Sequence, residues 1–70
     1  MSKTNNFFFN GQEYQTKQQI TINDLINYFD YQSSVFVLEY NNFICNKKDW
    51  KKIKIQSNDR IELLSIVGGG

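Results

Sequence analysis

A short hydrophobic run near the start of the chain, followed by a turn signal and a second, mostly polar segment, predicts a β-hairpin. Three phenylalanines, Phe7 to Phe9, are followed by Asn10-Gly11 and then by the segment QEYQT. Asn-Gly supplies the positive φ angles that a two-residue hairpin turn needs. In an extended strand Phe7 and Phe9 share one face and Phe8 lies on the other. One of these two faces must therefore be the core.

A second pattern, in the segment ITINDLINYFDY, predicts one amphipathic helix. Its apolar residues recur at i, i+3, i+4 and i+7, which places them in one stripe. The stripe consists of Ile22, Leu25, Ile26 and Phe29. Thr21 is a suitable N-cap, and Asp24 stands at the position of a capping-box partner. We therefore expect the helix to start immediately after Thr21 and to pack against a sheet.

The segment VFVLEY, residues 35–40, is a β-branched and aromatic run that predicts an interior strand. Asn41-Asn42 then offers a turn before FIC, which gives a second hairpin. The following NKKDWKK is polar apart from Trp50, whose ring we expect over the edge of the core. This stretch is interpreted as a turn or a short helix.

The last predicted strand is RIELLSIV, which follows IKI and a turn at residues 57–59. The pleat places Ile61 and Leu63 on one face, and Glu62, Leu64 and Ile66 on the other. The element order is β-β-α-β-β-β. It predicts an α+β protein with a mixed sheet of about five strands, covered on one face by one helix, and it is compatible with a β-grasp fold. We expect a single domain over residues 1–70, with residues 68–70 as a flexible tail.

Composition and charge exclude several function classes. With 70 residues, one cysteine and no histidine, we expect no deep catalytic pocket, no internal disulfide and no metal site. The net charge of +1 does not favour nucleic-acid or membrane binding. Cys45 is interpreted as a small hydrophobic residue and the lysines as a solvated rim. The carboxylates Glu39, Asp49, Asp59 and Glu62 are assigned to the surface or to turns.

The chain closes with SIVGGG, in which three of its four glycines are consecutive. Together with FFFNG, TINDLINYF, VLEYNNFICNKKDW and SNDRIELLSIVGGG, this ending resembles the ThiS family of sulfur carriers, which are ubiquitin-like β-grasp proteins. The resemblance covers nearly the whole chain. A terminal Gly-Gly alone is a modest signal, and the length and element order make it specific.

The resemblance implies a reaction at the α-carboxylate of Gly70. An adenylating enzyme of the ThiF type uses ATP to form an acyl-adenylate there, and sulfur from a donor system such as a cysteine desulfurase displaces AMP. The resulting thiocarboxylate then supplies sulfur to a thiazole synthase of the ThiG type. The carrier itself is not an enzyme and binds no cofactor. Gly68 and Gly69 have no Cβ, so they can form a slim thread that enters a partner's active site.

A partner needs further contact surface, because ordering such a tail costs about 1–2 kcal/mol per residue. If Ile61 and Leu63 face the core, Leu64 and Ile66 face outward. In a β-grasp sheet the first and last strands are neighbours, which is expected to place Phe8 beside them. Phe8, Leu64 and Ile66 are therefore predicted to form a docking patch. An ordinary sheet face that is covered by self-association or by long side chains is the alternative.

Other functions remain open at this stage. The small subunit of molybdopterin synthase shares the fold and the thiocarboxylate chemistry, and a ubiquitin-like modifier uses the same activated terminus. A β-grasp interaction module needs no terminal chemistry. The polar start, MSKTNN, and the short apolar runs predict a soluble protein of the bacterial cytoplasm or, for an organelle-encoded chain, the plastid stroma.

Overall fold

The computed structural model describes residues 4–29 and 36–65, which form a five-stranded sheet with one α-helix packed on one face. The elements are β1 (Asn5–Phe9), β2 (Gln12–Thr16), α1 (Ile22–Tyr28), β3 (Phe36–Tyr40), β4 (Phe43–Cys45), a 3₁₀ helix (Lys47–Asp49) and β5 (Arg60–Ser65). The strand order across the sheet is β2-β1-β5-β3-β4. β1 and β5 run parallel, and the other neighbouring pairs are antiparallel. The predicted fold class is confirmed.

Several sequence predictions fall outside the described residues. They concern Val35, Ile66, Val67 and the glycines Gly68 to Gly70. The division of the chain into one domain and a reactive tail therefore stays a prediction.

Helix α1 begins where the sequence predicts. The Asp24 amide donates to Thr21 Oγ1 at 3.1 Å, and the Thr21 amide donates to Asp24 Oδ2 at 2.9 Å, which completes the capping box. Ile22, Leu25 and Ile26 are buried. Phe29 follows the last helical turn, is half-buried, and stacks on Phe9 with ring centroids 5.1 Å apart. The predicted stripe thus faces the sheet, with its last member at the edge of the core.

The segment around Lys54 holds the start of the helix against the domain. The Ile22 amide donates to the Ile53 carbonyl at 3.0 Å, and the Ile55 amide donates to the Ile20 carbonyl at 2.8 Å. These bonds flank an isolated antiparallel bridge between Thr21 and Lys54. The residues IKI therefore act as a clamp on the chain that enters α1, although they form no strand of the sheet.

Two tight turns close the hairpins, as the asparagines predict. Asn10 and Gly11 have φ angles of 51° and 84°, and Asn41 and Asn42 have 52° and 75°. Positive φ at both central positions matches the twist of the flanking strands, and asparagine and glycine adopt it most readily. Each turn is therefore encoded locally.

The core lies between the inner face of the sheet and α1. Its buried hydrophobic residues are Phe7, Phe9, Ile22, Leu25, Ile26, Leu38, Trp50, Ile55 and Ile61. Trp50, expected over the core edge, is buried within it, and its indole N–H donates to the Cys45 carbonyl at 3.2 Å. That bond satisfies the one polar group of a large apolar side chain.

Asp59 closes the predicted turn at residues 57–59, and it is buried rather than exposed. It is buried and accepts from the Gln56 amide at 2.7 Å, from Asn41 Nδ2 at 3.1 Å and from the Tyr40 hydroxyl. Burial, followed by the hydrogen bond to Asp59 and the charge of Asp59, raises the pKa of Tyr40 from 10.0 to about 12. The turn role was among those predicted, but the burial was not, because sequence spacing does not show which donors a turn brings together.

Candidate docking face and carrier strand

β5 presents different residues on its two faces, as the alternation predicts. Ile61 is fully buried, and Leu63 packs against the core from a partly buried position. On the opposite, outer face Glu62 is exposed and Leu64 is 43% exposed. The predicted outward position of Leu64 is therefore confirmed. Ile66 would be next on this face but lies outside the described residues.

Phe8 does not lie beside Leu64, which corrects the predicted arrangement of the patch. β1 and β5 are neighbours as expected, but their register pairs Phe8 with Arg60. Leu64 lies four residues further along β5, about 13 Å away at roughly 3.3 Å per residue. Phe8 instead contacts Arg60, whose guanidinium carbon is 5.5 Å from the centre of the Phe8 ring. Alternation along a strand predicts the face of a residue and leaves the register between strands open.

Two other apolar residues accompany Leu64 on the outer face. Val37 on β3 pairs directly with Leu64. Ile44 on β4 pairs with Glu39, which is two residues after Val37, so Ile44 is a diagonal neighbour of Val37 on the same face. Ile44 is 70% exposed. We call Val37, Ile44 and Leu64 the outer patch. The pattern of VFVLEY contains the signal for Val37, because Leu38 inward requires Val37 outward.

Two carboxylates lie on the same face as the outer patch. Glu39 and Glu62 are directly paired across β3 and β5. Neither forms an ion pair with another residue in the part of the chain that the structure describes. Like charges in facing positions repel, and a basic surface placed over them would relieve that repulsion. The outer face is therefore complementary to a partner with apolar and basic residues.

The far end of β5 extends past its neighbour β1. The Asn10 side chain ends the pairing, since Asn10 Oδ1 accepts from the Leu63 amide at 2.9 Å where the next β1 carbonyl would stand in a continued ladder. Beyond that bond β3 is the one strand that pairs with β5 within residues 4–29 and 36–65, up to Phe36 and Ser65. Gly70 follows Ser65 by five positions in the sequence. β5 is thus paired with strands on both sides near Arg60, whereas at Leu64 and Ser65 it has passed the end of β1 and is paired with β3 on one side.

The environment of Cys45 favours a structural role over a chemical one. Cys45 is half-buried, and burial, followed by the charge of Asp49, raises the pKa of its thiol. A raised pKa keeps the thiol protonated and weakly nucleophilic. No group of histidine, cysteine, aspartate or glutamate side chains within residues 4–29 and 36–65 could hold a metal ion. No helix in these ranges is long and apolar enough to cross a membrane.

The strand order and the single helix on one face define a ubiquitin-like β-grasp domain. The crystal structure of the thiamine biosynthesis protein ThiS from Geobacter metallireducens has the same fold, with a TM-score of 0.79 over 93% of this chain and 99% of that one. Sequence identity to it is 19%, so this likeness shows the fold alone.

The sequence matches the ThiS family over residues 7–70. This protein therefore belongs to the ThiS family, and it is a small sulfur carrier of the ubiquitin-like class. Carriers with this fold are typically not catalysts themselves.

Relatives from Trieres chinensis, Porphyra purpurea and Pyropia yezoensis carry the name "uncharacterized protein ycf40". The one from Trieres chinensis is 61% identical over 70 residues, which cover 100% of this chain and 96% of that protein. The one from Porphyra purpurea is 28% identical over 61 residues, which cover 87% of this chain and 86% of that protein.

Proposed function

We propose that this protein carries sulfur for the thiazole ring of thiamin, and that the carboxylate of Gly70 is the group that carries it. Family membership supports the carrier role. The observation on which the proposal depends is the placement of β5. This strand is held at the centre of the sheet, carries Leu64 on the outer face, and leads directly toward Gly68, Gly69 and Gly70.

The chemistry begins with activation, because a carboxylate is a poor acylating agent. A ThiF-type enzyme transfers AMP from ATP to the Gly70 carboxylate and releases pyrophosphate. The terminal sulfur of a cysteine persulfide, supplied by a cysteine desulfurase, attacks the acyl carbon and AMP leaves. A thiol then reduces the S–S bond and releases the thiocarboxylate, from which a ThiG-type thiazole synthase takes the sulfur. ATP is consumed by the partner, and this chain holds no cofactor.

The outer patch supplies binding energy that the glycines cannot provide. Gly68 and Gly69 offer no side chain, and ordering each residue of the tail costs about 1–2 kcal/mol. We assign docking to Leu64 with Val37 and Ile44, continued by Ile66, and we place Phe8 with Arg60 as a separate contact at the other end of the face. Glu39 and Glu62 then meet basic side chains of the enzyme, which favours rapid association.

The ycf40 name of the relatives favours the plastid stroma over a bacterial cytoplasm as the site of this reaction. No nucleic acid or membrane takes part in the proposed cycle.

Intact-mass spectrometry tests the carrier chemistry. The full chain is incubated with ATP, an active adenylating enzyme and a sulfur donor, and exchange of one carboxyl oxygen for sulfur adds about 16 Da. A chain shortened by Gly69 and Gly70 is the matched control and is expected to gain no mass while it keeps its fold. Absence of the heavier species with the full chain, from an enzyme preparation that is active on another carrier, would contradict the proposal.

The thiazole assignment needs a separate test. Thiocarboxylated protein is given to a thiazole synthase in one reaction and to the large subunit of molybdopterin synthase in another. We expect sulfur transfer in the first reaction. Transfer in the second alone would assign the protein to molybdenum-cofactor synthesis, and formation of isopeptide bonds to lysine would identify a modifier.

Docking through the outer patch is tested by Leu64→Asp. The change replaces an apolar contact with a carboxylate that would lose its hydration on docking, so we expect the rate of thiocarboxylate formation at low enzyme concentration to fall by about tenfold or more. Tyr28→Asp, at a side chain 81% exposed on the helix side, is the matched control and should leave the rate unchanged. Equal rates for both variants would remove the outer patch from the docking surface.

A further inference from the structure

β2 forms one edge of the sheet, and two of its residues point their backbone amides and carbonyls away from the sheet. The Phe8 and Asn10 amides donate to β5, so the intervening Phe7 and Phe9 direct their backbones toward β2. Their β2 partners are Tyr14 and Gln12. Because antiparallel strands alternate, the amides and carbonyls of the residues between and after these partners, Glu13 and Gln15, point away from β1.

An aromatic groove of about 420 Å³ borders this edge, between β2 and α1. Its apolar lining consists of Phe7, Tyr14, Ile20, Leu25, Tyr28 and Phe29. Tyr14 and Phe29 meet edge to face at 5.5 Å, and Tyr28 packs on Phe29 at 5.0 Å while remaining 81% exposed. Exposed aromatic surface beside an open edge favours the addition of another strand that brings its own apolar side chains.

We propose that the β2 edge pairs with the β2 edge of a second copy of this chain, antiparallel and about a twofold axis at Tyr14. At this register the backbone of Glu13 forms hydrogen bonds with the backbone of Gln15 in the second copy, and Gln15 does the same with Glu13 of the second copy. Both five-residue strands then overlap completely. A shift by one residue would place backbone amides and carbonyls that point away from β1 opposite residues whose amides and carbonyls point toward β1. A shift by two residues would shorten the overlap. Tyr14 of one copy then faces Tyr14 of the other copy on the groove side. Together with Tyr28 of each copy, these side chains cover the two grooves.

The charges along β2 suit this pairing. Glu13 is the one charged residue of the strand, and it faces the neutral Gln15 rather than another Glu13. Lys17, just after the strand, lies diagonal to Glu13 of the second copy, within reach of a long side chain. The strand has neither the lysine nor the proline with which edge strands commonly prevent self-pairing.

Pairing through β2 leaves the proposed docking surface open. The outer patch lies on β5, β3 and β4, toward the other edge of the sheet. The dimer does not depend on the proposed sulfur chemistry, so either one can fail without the other.

Sedimentation equilibrium and amide hydrogen exchange of the full chain test the proposal together. A contact made by one five-residue strand from each copy and the tyrosines beside it is small. We therefore expect a weak monomer–dimer equilibrium, with a dissociation constant on the order of 0.1 mM. The amides of Glu13 and Gln15 should become protected from exchange as the protein concentration rises, whereas β4 amides should not. A protein that stays at 8.3 kDa across a hundredfold range of concentration up to about 1 mM would overturn the proposal.

Two variants locate the interface. Gln15→Pro removes an outward amide, a substitution that an edge strand tolerates, and we expect it to weaken dimerisation more than tenfold. Ile44→Ser on the opposite edge is the control and should leave the equilibrium unchanged. Glu13→Lys should also weaken the dimer, and Glu13→Lys combined with Lys17→Glu should restore it. A dimer that Ile44→Ser abolishes and Gln15→Pro leaves intact would overturn the proposal.

Discussion

The two ends of β5 are held in different ways. At its start, Arg60 exchanges hydrogen bonds with Asn41, since the Asn41 amide donates to the Arg60 carbonyl at 2.7 Å and Asn41 Oδ1 accepts from the Arg60 amide at 2.8 Å. The buried carboxylate of Asp59 lies immediately before it. At the other end Asn10 makes one side-chain bond to Leu63, and β3 is then the remaining strand neighbour. The domain thus fixes one end of the strand firmly and leaves the end nearer the glycines accessible.

Removal of the buried carboxylate should break the firm end most strongly. Asp59→Ala leaves the Tyr40 hydroxyl, Asn41 Nδ2 and the Gln56 amide without their acceptor, so we expect unfolding free energy to fall by about 3 kcal/mol. Urea denaturation measures it. Glu62→Ala, at an exposed carboxylate on β5 three residues after Asp59, is the control and should change stability by less than about 0.5 kcal/mol. Similar losses in both variants would mean that Asp59 does not anchor β5.

One asparagine from each hairpin turn, Asn10 and Asn41, allows a direct comparison of the two ends of β5. Asn41→Gly and Asn10→Gly both keep a positive φ accessible and remove only the side-chain bonds. The first change removes two bonds, one of them to a carboxylate, and should cost about 2 kcal/mol. The second removes one and should cost about 1 kcal/mol. Urea melts that give the reverse order would contradict the difference between the two ends.

Alkaline pH should loosen the firm end selectively. The pKa of Tyr40 is about 12 in the folded protein against 10.0 for an unperturbed tyrosine, so the fold favours the protonated hydroxyl. This contribution is complete below pH 10 and is lost as the pH rises toward 12. Tyr40→Phe should therefore reduce the loss of stability over that interval, as followed by thermal melts.

Tyr28→Phe, at an exposed tyrosine, is the reference for the Tyr40→Phe melts. A Tyr40→Phe profile that matched that of the unmodified protein would exclude Tyr40 as the source of the effect.

The smallest effect is expected at the open end. Leu64→Ala removes a side chain that is 43% exposed, so its cost should stay below about 1 kcal/mol. Leu38→Ala, at a leucine 1% exposed on the neighbouring strand, should cost about 2–5 kcal/mol. Urea melts of the two leucine variants measure this contrast, and equal losses would place Leu64 in the core rather than on a partner surface.

Sequence patterns were sufficient wherever the determinants are local. The capping box of Thr21 and Asp24, the hairpin turn at Asn10 and the inward position of Ile61 each depend on a few consecutive residues. These features predicted the helix start, both hairpins and the faces of the β5 residues 61–64. The family resemblance then supplied the fold.

Contacts between distant segments were not predictable in the same way. Asp59 finds donors at Tyr40 and Asn41, about twenty positions away, and the parallel register that separates Phe8 from Leu64 joins segments more than fifty positions apart. Alternation within a strand contains no information about such a register. The outer patch could be corrected only when β5 was aligned with both of its neighbours.

The central position of β5 also affects how the chain folds during synthesis. The two hairpins are made early, but the strand that joins them is the last described element in the sequence, and its bond from Leu63 to Asn10 spans 53 positions. Closing so long a loop is slow compared with forming a hairpin. A ribosome-bound chain therefore cannot complete its sheet until β5 has emerged, and truncated products that lack this strand remain unfolded and open to proteolysis. Only a chain synthesised through β5 can complete the fold.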